Sequence, residues 1–142
     1  MHHGRILVAL VTVVAGITAS VGCASTGSQP GLEGVEWHLS AASVSSSDLG
    51  GAGITARFED GLVGGTGGVN SYSAPYEAGR TGSLEIGDVT STLIAALDAE
   101  ANTAEAAYFA VLGEVAGYVL EGGTLTLLDA NGNELLVFTR AE

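Results

Sequence analysis

The chain has 142 residues, 46% of them hydrophobic, with 16 acidic side chains, four arginines and no lysine, for a formal net charge of -12. That length holds one domain with one core, and that hydrophobic share separates the chain from disordered sequences. Arg57, Arg80 and Arg140 are too scattered to neutralise a run of phosphates, which excludes nucleic acid as a partner, and an acidic surface repels anionic headgroups, so membrane attachment has to come from an anchor.

Such an anchor is written at the start. Arg5 supplies a positive n-region, Ile6 to Ile17 an apolar h-region too short for a comfortable transmembrane helix, and Ser20-Val21-Gly22-Cys23 a small-residue cleavage site. Residues 1–22 are therefore expected to be a signal peptide, 23–33 a Ser/Gly/Pro-containing tether and 34–140 the folded domain. Cys23 is the single cysteine, and its setting resembles a bacterial lipobox, whose Cys takes a diacylglycerol thioether. Ser20 departs from that pattern, where Leu is usual. The alternative is an incidental Cys in a secretory signal. Two acyl chains anchor stably where one does not, and lipidation leaves the domain no free thiol for a disulfide or for catalysis.

Val35, Trp37, Leu39 and Ala41 alternate with Glu36, His38, Ser40 and Ala42, the period of a strand with one buried face, and this points Trp37 inward. Ser43 to Gly53 reads as a loop. Ile54, Ala56 and Phe58 alternate again, and Glu59-Asp60-Gly61 turns the chain into Leu62-Val63. The stretch Gly61 to Tyr76, GLVGGTGGVNSYSAPY, concentrates five glycines beside an Asn and two tyrosines. No Lys-Ser/Thr follows and no G-x-G-x-x-G register fits, so tight turns, a bulge or a crowded crossing explain it better than a phosphate cradle. Pro75 puts its strand at an edge or a bulge. Ser83 to Ile86 is a short strand, and Val89 to Leu97 is apolar without a decisive period. Asn102 and Glu105 are spaced as a capping box, and Ala104, Tyr108, Val111, Leu112 and Val115 recur at helical spacing behind them. Tyr118 to Leu120, Thr124 to Leu128 and Glu134 to Thr139 are strands, the last two joined at Asn131-Gly132. Asp129, Asn131 and Asn133 read as a turn, because Gly and Glu are missing where a calcium loop needs them.

These elements resemble, in order, the META domain of HslJ-like bacterial heat-shock lipoproteins. Trp37 and Leu39 look like its opening W-x-L, Gly68-Val69-Asn70-Ser71-Tyr72 its G-C-N-x-[YF] with Tyr76 closing, and Ser91-Thr92-Leu93-Ile94-Ala95-Ala96 its S-T-x-M-A-C. Phe109, Leu112, Tyr118, Leu125, Leu127 and the Asn131-Gly132 turn continue the match. The resemblance implies an α+β fold, an antiparallel sheet curled into a partial barrel with one helix, similar to some secretion pilotins. It also marks Trp37, Gly68, Asn70, Tyr72, Tyr76 and Thr92 as motif residues with a structural or binding role. The family's two Cys positions are Val69 and Ala96 here, which fits a contacting pair replaced by packing.

His38 is the one histidine beyond the leader and alternates with Trp37, so it faces solvent. The sequence carries no catalytic, metal-ligating or cofactor-binding constellation. The resulting expectation is a non-catalytic module, lipid-anchored in the bacterial envelope and facing outward. Its partner would be a protein or an apolar ligand, in the stress-response or antibiotic-tolerance setting that the resemblance implies. The Gly-rich segment and Ser83 to Ile86 would form its functional edge. The alternative is a cation-binding or hydrolytic protein using surface carboxylates such as Glu59-Asp60 or Asp98 with Glu100; a purely structural lipoprotein would show no pocket and no exposed apolar patch.

Overall fold

The computed structural model describes residues 27–43 and 49–142. Among them, nine strands and one helix follow each other as β1 (Glu36–Ala42), β2 (Thr55–Glu59), β3 (Leu62–Thr66), β4 (Ser71–Ala78), β5 (Leu84–Ile86), β6 (Thr90–Ser91), α1 (Ala99–Leu112), β7 (Gly117–Glu121), β8 (Thr124–Leu128) and β9 (Glu134–Arg140). The alternation seen in the sequence is the cause. Trp37 and Leu39, Ala56 and Phe58, Tyr72, Ala74 and Tyr76, Leu125 and Leu127 all turn inward, and the residues between them are half-buried or exposed.

Every pairing among these strands is antiparallel, in the order β5-β4-β3-β2-β1-β9-β8-β7, with β6 beside β4. The two ends of that order meet. Ser83 bridges Gly117, Leu84 N–H donates to Ala116 C=O at 3.1 Å and Tyr118 N–H to Gly82 C=O at 2.8 Å. The sheet therefore curls into a nearly closed barrel, which removes most of its open edge. Register shifts bend it where it must curve, between Leu39 and Ala41 against β9 and between Leu127 and Leu128 against the same strand. The second shift lets consecutive Leu135 and Leu136 both be buried. Trp37, Phe58, Tyr108, Tyr118 and Phe138 fill the interior, each such side chain contributing about 1.5–3 kcal/mol by leaving water.

Asp60 and Gly61, at φ 52° and 77°, make the two-residue turn between β2 and β3. Pro75 sits where the ladder on one side of β4 changes partner. β4 pairs with β3 from Ser71 to Pro75, but its other side passes from β6 at Tyr72 and Ser73 to β5 at Tyr76, and Gly87 N–H reaches the Pro75 carbonyl between them. Asp129 is a turn anchor, its carboxylate accepting from Asn131 N–H, Asn133 N–H and Asn133 Nδ2.

Three expectations change. The helix is capped by Asp98, whose carboxylate accepts the Glu100 N–H at 2.9 Å, so it starts before Asn102, and Glu105 is not part of a capping box. Asp98 is extended and followed by a first-turn Glu, which makes it the better cap. The Gly-rich β3 is not an edge, being paired on both sides by β2 and β4, and Ser83 is held against Gly117. Finally, Gln29 to Glu33 pack onto the barrel instead of hanging free. Gln29 N–H donates to Tyr118 Oη at 2.7 Å, Leu32 is fully buried with its carbonyl taking the Trp37 indole N–H, and Glu33 bridges Phe58. Cys23 and the leader lie outside the described residues.

Candidate functional site

Asn70, immediately before β4, is one of two buried polar or charged residues among those described, and the other is Glu105 on α1. They are partners. The Glu105 carboxylate accepts the Asn70 side-chain Nδ2 at 2.5 Å and the N–H groups of Asn70 and Val69 at 2.5 and 2.9 Å. Burial works against the charged form, and these three donors outweigh it, leaving the carboxyl below its ordinary range.

The remaining capacity of Asn70 goes to the segment between β6 and α1. Its Nδ2 donates to the Ile94 carbonyl at 2.9 Å, and its Oδ1 accepts the Ile94 N–H and the Thr92 hydroxyl, both at 2.7 Å. Thr92 N–H adds a bond to the Ser71 carbonyl at 3.1 Å. Asn102, inside α1, does the same for Ala96, binding its N–H and C=O at 3.0 Å each. Two asparagine amides thus clip alternate peptides of one short loop. Val69 and Ala96, both half-buried, flank this junction. Outward from it stand Leu93 and Leu97, fully exposed, and Ile94, 64% exposed.

Tyr72 completes the cluster beneath. Its hydroxyl donates to the Thr55 carbonyl at 2.9 Å and lies 2.7 Å from the Tyr108 hydroxyl. Since Tyr72's one proton goes to Thr55, Tyr108 is the donor between them. Burial pushes both phenols above their ordinary range, which keeps them neutral. Tyr72 also meets Tyr108 and Phe109 ring to ring at 5.5 and 5.4 Å. Two glycines sit where a side chain would not fit: a Cβ on Gly67 would stand 2.7 Å from the Phe109 ring and 2.9 Å from Glu105 on α1, and one on Gly65 would stand 2.5 Å from the Thr55 carbonyl on β2. Gly67 thus makes room for α1 and Gly65 for the neighbouring strand β2.

The structure brings Asn70, Tyr72 and Thr92 together, with Gly68 at φ 107° donating to Thr66 Oγ1 beside them. Trp37 and Tyr76 lie elsewhere. Trp37 is in the core, and Tyr76 stacks edge-on against Phe58 at 5.0 Å and donates to Glu33 at 2.5 Å. Near it opens a groove of about 890 Å³ whose lining includes Glu33, Glu77, Glu85 and Glu114. Among the described residues no three His, Cys, Asp or Glu side chains gather as a metal site. His38 is exposed and bonds Glu36 at 3.1 Å. Glu105 is the important residue missed by sequence reasoning. Its signal was a Glu on the apolar face, three and seven positions before Tyr108 and Leu112, where a carboxylate needs a partner.

A comparison with curated proteins finds no match. An NMR structure of a protein from Burkholderia xenovorans is similar over 78% of this chain and 83% of its own, at 26% identity and a TM-score of 0.58. A second NMR structure, 17% identical, covers 76% of this chain and 90% of its own with a TM-score of 0.57, and so shares the fold. The family model of the META domain matches residues 30–142, spanning the barrel, the Asn70 cluster and the helix, and the chain belongs to the META domain family.

Proposed function

We propose that this protein is a non-catalytic binding module of the bacterial cell envelope, anchored to a membrane through a diacylated Cys23 and engaging a protein partner with its folded domain. The observation that carries the reading is the employment of the motif's polar groups. Asn70, Thr92 and Glu105 bind one another and the loop backbone, and the Tyr72 and Tyr108 hydroxyls bind each other. A reactive site needs such groups aimed into a space that a substrate enters; here they hold a loop in place. The interior filled by Trp37, Phe58, Tyr108, Tyr118 and Phe138 favours a protein partner over an apolar ligand inside the barrel. The stretch Ser20 to Cys23 supports the anchor, and the likeness to HslJ-like lipoproteins supports a role in envelope stress or antibiotic tolerance.

Metabolic labelling with palmitate, followed by membrane fractionation, tests the reading. The native chain should take up label and sediment with membranes, and Cys23→Ala should do neither. Label that survives Cys23→Ala, or a native chain that stays unlabelled and in the soluble fraction, overturns it.

A further inference from the structure

Among the described residues, Leu93, Ile94 and Leu97 are three large exposed apolar side chains close together in sequence; Leu62 and Val119, the other two large exposed ones among those residues, stand on separate strands. Exposed loop residues usually move. Here the backbone is restrained, because Thr92, Ile94 and Ala96 are each hydrogen-bonded through it to Ser71, Asn70 or Asn102. A loop frozen before contact loses little conformational entropy on binding, which is how an apolar anchor comes to dominate an interface.

We infer that the Leu93–Ile94–Leu97 ridge is the docking surface of the binding module proposed above, and that it inserts into an apolar cleft on a protein partner whose rim carries Lys or Arg. The inference rests on that reading of the function. Two observations select this occupant. First, the nearest charged residues along the chain on either side of the ridge are the exposed acids Asp88, Asp98 and Glu100, and the sequence has no Lys, Arg or His between Arg80 and Arg140. Acidic flanks repel an anionic bilayer surface and would repel one another across a dimer of identical ridges, and they complement a basic rim. Second, the ridge lies at the Asn70 end of β4, while the entering chain is tied down at the other end, where Gln29 N–H meets Tyr118 Oη and that hydroxyl reaches the Gly79 carbonyl. Eight residues of β4 separate the two ends by about 26 Å at about 3.3 Å per residue. A chain held near its start presents the ridge away from its attachment.

The test places a photoreactive benzoylphenylalanine in the full-length chain at position 93 or 97, and for reference at exposed positions 62 and 119, with irradiation in intact cells of the native host. The expected result is a discrete protein adduct from 93 and 97, with the partner peptide mapping to an apolar cleft bordered by Lys or Arg. Leu97→Ser should lower the adduct yield at position 93 about tenfold, and charge reversal of the partner's rim should do the same. An adduct of two copies of this chain, an adduct with lipid, a cleft without basic residues at its rim, or no adduct from 93 or 97 overturns the inference. Protein adducts from 62 or 119 alone would remove the ridge and leave the binding-module reading standing; silence at all four positions removes both.

Discussion

Asn70 closes on both polar groups of the Ile94 peptide, donating to its carbonyl at 2.9 Å and accepting its N–H at 2.7 Å. The same side chain also binds Glu105 and Thr92, so four hydrogen bonds leave with it. Asn70→Ala should destabilise the domain by about 2–4 kcal/mol in urea denaturation, because a buried carboxylate loses a donor and a peptide is left unpaired. Asn70→Asp should cost at least as much, since it sets a second carboxylate against the first.

The hydroxyl pair predicts an asymmetry. Tyr108→Phe leaves the Tyr72 hydroxyl its bond to the Thr55 carbonyl, and should cost about 0.5–1 kcal/mol. Tyr72→Phe strands the Tyr108 hydroxyl in a fully buried site and should cost about 1–3 kcal/mol. Equal losses in paired denaturation curves would contradict the donor order.

Two glycine-to-alanine changes should move stability in opposite directions. Gly67→Ala drives a methyl to 2.7 Å from Phe109, and overpacking of that kind costs about 1–3 kcal/mol. Gly113 is at φ -69°, ordinary helical backbone, with its nearest obstacle 3.4 Å away. Gly113→Ala should stabilise by about 0.4–1 kcal/mol through the unfolded chain. Thermal melts of the two variants read the sign directly.

The depressed Glu105 carboxyl makes stability depend on acid. The unfolded chain takes up its proton near the usual value of 4.5, and the folded one resists until lower pH. Stability from this group is therefore complete above that value and falls as pH drops through the folded one. Asp129 shares the direction, so the native chain should be compared with Glu105→Gln. The variant should be less stable at neutral pH, and the gap should narrow on acidification. A gap constant from pH 7 to pH 3 would mean that Glu105 is not charged in the fold.

Leu93→Ser and Leu97→Ser should leave stability within about 0.5 kcal/mol of the native chain, as substitutions of fully exposed side chains do. A larger loss in urea would mean that these side chains pack against the domain in solution.

Much of the fold is local and was legible as such. The alternation around Trp37 and Phe58, the Asp60-Gly61 and Asn131-Gly132 turns and the inward Tyr118, Leu125 and Leu127 follow from residues two apart and from which side chains tolerate positive φ. The sequence by itself also carried the META resemblance and pointed to Asn70, Tyr72 and Thr92. Tertiary structure alone decided what those residues do. Glu105 meets Asn70 from 35 positions away, so a spacing rule assigned it to a cap three residues upstream, although Asp98 held that place. The glycines of β3 looked like an edge because sequence does not say what lies on either side of a strand, and here β2 and β4 lie there with α1 across the end. The ridge was hidden for the same reason. Leu93, Ile94 and Leu97 are apolar residues that a burial rule sends inward, and the structure leaves them in water on a loop whose backbone Asn70 and Asn102 bind.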